Sequence, residues 1–222
     1  YIYKSGGEMF WDSGNTGSAT LNKNVTTYDA TIKHSGNYSA KLQSQYVALF
    51  GIGAFAAGNV FVGKFLKIDG TDGILRFGRP FTSRPSKLVL YYRYVAGTVD
   101  YSTLSELPKN SKDMGSIYIA LGDWPHQTFE GETDIPVLVK TKPADRQLFD
   151  SNSSNVIGYG ECILKESTEG EGLIKLEIPI NYRSNRKPTD IILVGSASRY
   201  GDYFTGSTGS TLWLDDLELI YE

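Results

Sequence analysis

Hydrophobic and polar residues alternate with a period of two along several segments of this chain. In the segment Lys87 to Val95, one face carries only apolar and aromatic groups, namely Leu88, Leu90, Tyr92 and Tyr94. The segment Leu173 to Ile180 repeats the pattern with Ile174, Leu176, Ile178 and Ile180. Successive side chains of a strand point to opposite faces, so this alternation predicts strands with one buried face.

Shorter or less regular segments predict further strands, and Gly, Asn and Asp clusters separate them as turns. These strands are predicted at Thr26 to Lys33, Ser39 to Val47, Gly73 to Phe77, Ser116 to Gly122, Val137 to Thr141, Asn155 to Glu166, Asp190 to Ser198 and Thr211 to Tyr221. No segment of ten residues keeps a helical period. We therefore expect an all-β fold, a two-sheet antiparallel jelly-roll-like β-sandwich, in one domain over residues 1–222. The predicted long loops are Gly97 to Gly115, Asp123 to Ile135 and Pro143 to Ser154.

The last predicted strand is interrupted by two acids. Trp213 falls on the same face as Leu217 and Leu219, which predicts a core position for its ring. Asp215 and Asp216 follow the apolar residues directly, and a carboxylate drawn into a core needs a partner. A structural Ca²⁺ held by these two acids is one interpretation, and a bulge with solvated acids is the other.

Composition supports the all-β interpretation and removes several classes of partner. The 222 residues include 24 Gly, 15 Tyr and 10 Phe, a bias typical of strands joined by tight turns. The net charge of −3 provides no basic field for nucleic acid. No apolar run reaches the 18 or so residues that a membrane-spanning helix needs. The single cysteine, Cys162, excludes an internal disulfide, and its position in a predicted strand favours a buried, inert thiol.

Familiar catalytic motifs are absent from the sequence. It contains no phosphate-binding Gly-rich loop, no HExxH, no CxxC pair and no GxSxG. His34 and His126 fall in separate predicted loops, which favours surface histidines without a catalytic role. Carboxylates remain, because glycoside hydrolysis uses an acid paired with a base or nucleophile. Candidates are Glu161 and the loop acids Asp123, Glu130, Glu132 and Asp134, for which solvated loop charge is the simpler interpretation.

Binding of a sugar requires aromatic faces beside hydrogen-bonding groups, and the predicted loops contain both. Trp124 is the leading candidate because it lies among polar loop residues and is therefore expected to be exposed. Other aromatic residues next to Gly, Ser or Asp are further candidates for a substrate-binding surface: Tyr101, Tyr159, Tyr200, Tyr203 and Phe204.

Two stretches of the sequence resemble a known family. The C-terminal stretch is VGSASRYGDYFTG at 194–206 followed by GSTLWLDD at 209–216. The earlier one is GIGAFAAGNVFVG at 51–63, followed by FGRPF at 77–81. They resemble the putative carbohydrate metabolism domain family of gut anaerobes, and the likeness runs from about Tyr28 to the C-terminus.

The resemblance implies a jelly-roll-like sandwich, similar to carbohydrate-binding modules and to some sandwich-fold glycosidases, in proteins exported to the cell surface. It supplies no catalytic pair. The segment Ser35 to Leu42 looks like an early strand of sugar-binding jelly rolls, and the strand with Asp215 and Asp216 looks like their closing strand, where an acid in several modules helps to hold calcium.

Three functions follow from these observations. The first is a non-catalytic carbohydrate-binding or glycan-handling domain with a polysaccharide or oligosaccharide partner and no required cofactor. The second is a glycoside hydrolase with a carboxylate pair, and the third is a structural or adhesive module. The chain begins with Tyr1 rather than Met, so we expect the C-terminal part of a longer exported protein at the outer-membrane surface or outside the cell, with an upstream domain and a signal peptide or lipoprotein cysteine.

Overall fold

The computed structural model describes residues 9–49 and 52–221. Gly51, the first residue of the stretch 51–63 that resembles the family, lies outside the described residues. Within them the chain forms a single turn of helix, α1 (Asn15–Ser18), and two 3-10 turns at Ala19–Leu21 and Gly201–Tyr203. The strands are β1 (Trp11–Asp12), β2 (Thr26–Asp29), β3 (Ser39–Gln43), β4 (Gln45–Leu49), β5 (Ile52–Ala56), β6 (Asn59–Asp69), β7 (Asp72–Phe77), β8 (Arg79–Pro80), β9 (Lys87–Val95), β10 (Gly115–Gly122), β11 (Gln127–Phe129), β12 (Glu132–Ile135), β13 (Val137–Lys140), β14 (Val156–Leu164), β15 (Ile174–Pro179), β16 (Asn181–Tyr182), β17 (Asp190–Ser196) and β18 (Thr211–Ile220).

Two antiparallel sheets stack to form a β-sandwich, as the alternation predicted. The large sheet has the order β13-β7-β6-β17-β10-β14-β16, with β1 beside β6 and β8 beside β17. The small sheet has the order β15-β9-β18-β3-β2. Two hairpins, β4–β5 and β11–β12, stand apart from both sheets.

The core between the sheets contains the face that the sequence predicted. Leu88, Leu90 and Tyr94 of β9 are buried there, and Ile117, Ile119 and Leu121 of β10 face them from the large sheet. The predicted strand from Leu173 to Ile180 is also confirmed, because Leu176 and Ile178 of β15 pack in the same core. Alternation was informative here because each of these strands keeps one face toward this core.

A second apolar layer covers the outer face of the large sheet. Phe61, Phe77, Ala120, Ile192 and Val194 are buried on this side, opposite the core between the sheets. The inner strands of the large sheet are therefore buried on both faces, and such strands lose the alternation of apolar and polar positions. This explains why the sequence did not predict β6, an eleven-residue strand.

A bulge in β18 decides which side chains reach the core. Leu212 and Leu214 are buried between the sheets, and the pairing with β9 then shifts between Asp215 and Glu218. The shift turns Leu217 and Leu219 toward the core, whereas Trp213 lies on the outer face. The expectation that Trp213 shares a face with Leu217 and Leu219 is therefore wrong, but the residue is buried as expected, at 7% exposure. Its ring is covered by the cationic groups of Lys41 and Arg93, 5.6 and 5.2 Å from the ring centre.

Other differences from the predicted elements concern loops. The expected loop Asp123 to Ile135 contains the hairpin β11–β12, and the predicted strand Ser39 to Val47 divides into β3 and β4. The predicted long loop Pro143 to Ser154 contains no regular strand. The predicted loop Gly97 to Gly115 contains none before its last residue, where β10 begins. No helix of the described residues is long and apolar enough to cross a membrane.

Candidate functional site

A groove of about 500 Å³ lies on the outer face of the large sheet. Its floor is formed by β7 and β6, which are consecutive strands, and by β17 and β10, which lie next in the sheet but are distant from them in sequence. The hairpin β4–β5 and helix α1 line one part of its rim, and the loop 197–206 lines another. The volume falls in the range of small-ligand sites, roughly 300–1,000 Å³.

One half of the groove, over β6 and β7, is apolar. Phe61 and Phe65 of β6 line it together with Leu75 and Phe77 of β7. The hairpin adds the ring of Phe55. We refer to this part as the apolar half.

The other half lies over β17 and β10 and is polar. Tyr118 of β10 and Ser196 of β17 line it, and the loop 197–206 contributes Arg199 and Asp202. We refer to this part as the polar half. It combines an aromatic ring, a guanidinium group, a carboxylate and a hydroxyl group, which are the groups that bind sugars.

Contacts outside the groove hold the polar half in place. Arg199 Nη1 pairs with Oε1 of Glu161 on β14, and both side chains are largely buried. The ring of Tyr118 stacks on Phe149 with centroids 5.4 Å apart and planes 6° from parallel. Tyr159 of β14 lies next in this row, 6.1 Å from Tyr118. The rings and the ion pair therefore form one packed wall along β10 and β14.

Asp202 has an unusual acidity. Its side chain is exposed inside the groove, while the surrounding protein removes part of its water. Because a carboxylate is less stable when it loses water, this burial raises the pKa of Asp202 to about 6, and the charge of Arg146 opposes the rise. The same surroundings, together with the negative charge of Asp202, raise the pKa of Tyr118 well above its usual range. At neutral pH Tyr118 therefore keeps its hydroxyl proton, whereas Asp202 is mostly ionised and takes up a proton at mildly acidic pH.

A buried polar network fixes the start of the loop 197–206. Oδ2 of Asp113 accepts hydrogen bonds from the Ser198 hydroxyl at 2.7 Å and from the Ser207 backbone N–H at 2.8 Å. The hydroxyls of Ser44 and Ser198 are 2.7 Å apart, which connects the network to the base of the hairpin β4–β5. Asp113, Ser44 and Ser198 are fully buried. Burial raises the pKa of Asp113, and the hydrogen bonds act in the opposite direction.

Several of the aromatic residues predicted from the sequence lie at or near this groove. Phe204 lines it directly. Tyr200 and Tyr203 flank Asp202 on the same loop with ring centroids 6.5 Å apart, and Arg146 lies 4.7 Å above the Tyr203 ring. Tyr159 belongs to the wall described above. Tyr101 is not among the described residues that line the groove, because its ring stacks on Tyr46, 5.0 Å away, at the base of the hairpin.

Trp124 is a core residue, and the expectation that it is exposed is wrong. Its side chain is 7% exposed and belongs to the apolar layer on the large sheet. The ring folds back over Gly122, where an added Cβ would lie 2.3 Å from the indole. The polar residues around Trp124 face solvent and the ring does not, because the glycine leaves space for it against the sheet. We therefore place Trp124 outside the candidate site.

Three of the loop acids considered for a carboxylate pair each form an ion pair with a different basic residue. Glu130 pairs with Lys67 at 2.7 Å, Glu132 with Lys64 at 2.8 Å, and Asp123 with Arg186 at 3.5 Å. These acids lie on or beside the hairpin β11–β12 and do not line the groove. Glu161 differs from them, because it contacts the polar half through Arg199.

The two histidines each contact a carboxylate. His126 Nε2 lies 2.9 Å from Oδ2 of Asp190, which is fully buried. His34 Nδ1 lies 2.7 Å from Oδ2 of Asp216, and the His34 ring stacks on Tyr91. Neither histidine lines the groove.

Asp215 and Asp216 form the bulge of β18 and accept hydrogen bonds from a neighbouring loop. Oδ2 of Asp215 accepts from the His34 backbone N–H at 2.7 Å, and Oδ1 of Asp216 accepts from the Ser35 hydroxyl at 2.9 Å. Among the residues described, no group of three or more His, Cys, Asp or Glu side chains could hold a metal. Ca²⁺ needs about six to eight oxygen ligands, and donors surround these acids instead. Calcium at Asp215 and Asp216 stays a prediction that this arrangement does not favour.

Sequence reasoning missed Asp202, Tyr118, Arg199 and the phenylalanines of the apolar half as site residues. A signal was present for Asp202, since it lies between Gly201 and the predicted aromatic Tyr203. Tyr118 gave the weaker signal of an aromatic residue facing away from Ile117 and Ile119. Phe61 and Phe77 gave none, because strands buried on both faces lose the alternation that marks an exposed side.

Comparisons with known proteins agree with this fold. A family model described as a putative carbohydrate metabolism domain matches residues 2–220. A crystal structure of a putative glycoside hydrolase from Bacteroides thetaiotaomicron VPI-5482 is similar at 23% identity with a TM-score of 0.69. A second one, from Bacteroides vulgatus ATCC 8482, is similar at 24% identity with a TM-score of 0.70. Both alignments cover 100% of this chain, which spans 66% of the first protein and 90% of the second. At these identities the likeness concerns the fold. A comparison with curated proteins gives no match.

Proposed function

The chain belongs to the putative carbohydrate metabolism domain family, and from this premise we propose that the groove on its large sheet binds a glycan. The family supports a carbohydrate-related role. The observation that supports glycan binding in the groove is its polar half, where an aromatic ring, a guanidinium group and a carboxylate converge.

The polar half has the chemistry that a sugar ring requires. The C–H face of a pyranose packs against an aromatic ring, and its hydroxyls need charged or polar partners. In this proposal, Tyr118 contacts the sugar face, and Tyr159 and Phe149 hold that ring in place. Asp202 accepts hydrogen bonds from sugar hydroxyls, and Arg199 donates to them. Because Glu161 already pairs with Arg199, the guanidinium group is positioned before the sugar binds.

Affinity gel electrophoresis through a panel of polysaccharides tests this proposal. At least one polysaccharide should retard the wild-type chain, and Asp202→Asn and Arg199→Ala should reduce that retardation at least about tenfold. A buried charge-assisted hydrogen bond contributes about 1.5–3 kcal/mol, and about 1.4 kcal/mol corresponds to tenfold.

The matched control is Asp145→Asn, an exposed acid bonded to Lys140 outside the groove. Its mobility should equal that of the wild type in every gel. Retardation that is identical in all three variants, or absent from the whole panel, would count against the groove as a glycan site.

Glycoside hydrolysis is the second candidate, and one observation favours it. Asp202, with a pKa of about 6, keeps a proton that a general acid could donate at mildly acidic pH. Glu161 is a candidate partner, since the charges of both acids act on the Tyr118 hydroxyl. Paired carboxylates of this kind act as acid and as base or nucleophile in glycosidases.

Release of reducing ends separates the two functions. A binding domain releases none from the polysaccharide that retards it. A hydrolase releases them, and Asp202→Asn should then abolish the release. For Glu161→Gln, gel retardation measures separately whether the polysaccharide still binds.

Location at the outer-membrane surface and an upstream domain stay predictions from the sequence. Their support is the family resemblance, and digestion of intact cells with an external protease tests the location. The third function, a structural or adhesive module, called for a broad apolar surface without a groove. The groove with its polar half gives that alternative less support.

A further inference from the structure

The two halves of the groove differ in polarity but form one continuous cavity. From this we infer that the glycan carries a hydrocarbon substituent, an alkyl or acyl chain, that binds in the apolar half. The inference rests on the proposed function, because the sugar in the polar half is what aligns the substituent with the apolar half.

The lining of the apolar half matches hydrocarbon and does not match sugar. The rings of Phe55, Phe61, Phe65 and Phe77 and the side chain of Leu75 face a ligand there. A sugar hydroxyl placed against these groups would lose its water without gaining a partner, which costs free energy. A hydrocarbon chain in the same place removes apolar surface from water on both sides.

Charge from the described residues lies at the ends of the groove. Within residues 9–49 and 52–221, the charged side chains that line it are Asp72, Arg199 and Asp202. Arg199 and Asp202 belong to the polar half. Asp72 lies at the start of β7, next to the Thr141 hydroxyl at 3.3 Å. In the part of the chain that the structure describes, the middle of the apolar half is therefore lined by neutral groups.

Two glycine residues pack against one ring of the apolar half, that of Phe65. An added Cβ would lie 3.1 Å from the Phe65 ring at Gly73 and 3.3 Å from it at Gly17. The ring is therefore packed against two backbones and forms a wall of the cavity. Phe65 lines the cavity and is partly exposed, so part of its ring surface remains available to a ligand.

A series of alkyl glycosides with one sugar tests the inference. The probes are butyl, hexyl and octyl β-D-glucopyranoside, each below its micelle concentration, titrated into the full chain in a calorimeter. Affinity should rise about fourfold for each methylene group that becomes buried, since one CH₂ contributes about 0.8 kcal/mol. The increase in affinity with chain length is measured with the same sugar in every probe, so it does not depend on which sugar the polar half prefers.

Two variants localise the effect. Phe65→Ala should flatten the series, and Ala56→Glu, which places a charge on the hairpin wall of the apolar half, should flatten it without removing a core group. Phe129→Ala is the matched control, because this partly buried ring lies on the hairpin β11–β12, outside the groove. Circular dichroism confirms the fold of each variant, and Phe129→Ala should keep the wild-type slope.

A series that is flat in the wild type overturns the inference, as does a slope that Phe65→Ala and Ala56→Glu leave unchanged. Neither result affects the retardation of polysaccharide in gels. A steep series that depends on Phe65, together with no retardation by any glycan, would instead contradict the proposed function.

Discussion

The Ser198 hydroxyl donates a hydrogen bond to Oδ2 of Asp113 at 2.7 Å, and neither residue has any contact with solvent. Ser198 directly precedes Arg199 and lies four positions before Asp202. The network around Asp113 therefore determines where the loop 197–206 leaves the sheet. A residue remote from the ligand thus sets the position of the groups proposed to bind it.

Removal of the Asp113 carboxylate should weaken both the fold and glycan binding. Asp113→Ala removes the hydrogen bond from the Ser198 hydroxyl and leaves the Ser207 N–H buried without its acceptor, and an unsatisfied buried group costs about 1–3 kcal/mol. We expect the free energy of unfolding in urea to fall by at least about 2 kcal/mol. Asp100→Ala is the control, because this exposed acid also bonds the following loop, through the Thr208 N–H at 2.9 Å. An equal loss in both variants would mean that the buried network has no special role.

Glycan binding should depend on pH through Asp202. Its pKa of about 6 makes the carboxyl group protonated below pH 6 and ionised above it. Because a carboxylate accepts stronger hydrogen bonds than a carboxylic acid, affinity should increase between pH 5 and pH 7. Binding measured by calorimetry at several pH values checks this, and Asp202→Asn should give a flat profile. Hydrolysis would show the opposite trend, because a general acid loses its proton above pH 6.

Stability should respond to the same group. The pKa of Asp202 is raised in the fold from its ordinary value of 3.8. The protonated form is therefore favoured in the native state, and the contribution of Asp202 to stability decreases as the pH rises through 6. Urea unfolding at pH 4 and pH 7 should show that Asp202→Asn gains more stability, or loses less, than the wild type as the pH rises, because the variant has no such group to ionise. A variant that loses more stability than the wild type over this range would contradict the raised pKa.

Trp124→Ala should unfold or strongly destabilise the chain. The side chain is 7% exposed and packs with the apolar layer of the large sheet. Truncation of a buried Trp to Ala costs about 3–5 kcal/mol. Tyr28→Ala is the comparison, since this ring is 71% exposed, and its melting temperature should remain near that of the wild type. A stable Trp124→Ala variant that has lost only glycan binding would restore Trp124 to the site.

Loss of the His126 side chain should destabilise the fold through Asp190. Asp190 is fully buried and bonds His126 at 2.9 Å and the Thr189 hydroxyl at 2.7 Å. His126→Ala leaves the buried carboxylate with one donor fewer, at about 1–3 kcal/mol in the free energy of unfolding. His34→Ala removes an exposed pair with Asp216 and should cost about 0–1 kcal/mol. Denaturation curves of both variants test the difference.

The residues of β9 and β15 show what could be predicted from the sequence. Each strand keeps one face in the core between the sheets, so the order of apolar and polar residues alone reveals the strand and its buried side. The aromatic loop near the C-terminus was also visible, because Tyr200, Tyr203 and Phe204 lie among glycines. The all-β sandwich and part of the groove's rim follow from such local patterns.

The groove itself depended on tertiary structure. Its floor joins Phe61 of β6 and Leu75 of β7, which are consecutive strands, to Tyr118 of β10, which lies beyond β17 in the same sheet. The sheet alone brings β10 to this surface. Both faces of these strands are buried, so their sequences contain no alternation that distinguishes core from groove. Trp124 failed as a candidate for a related reason, since polar neighbours in sequence do not reveal the space above Gly122. Alternation records which face of a strand meets water, but only the folded sheet determines which side chains face the same cavity.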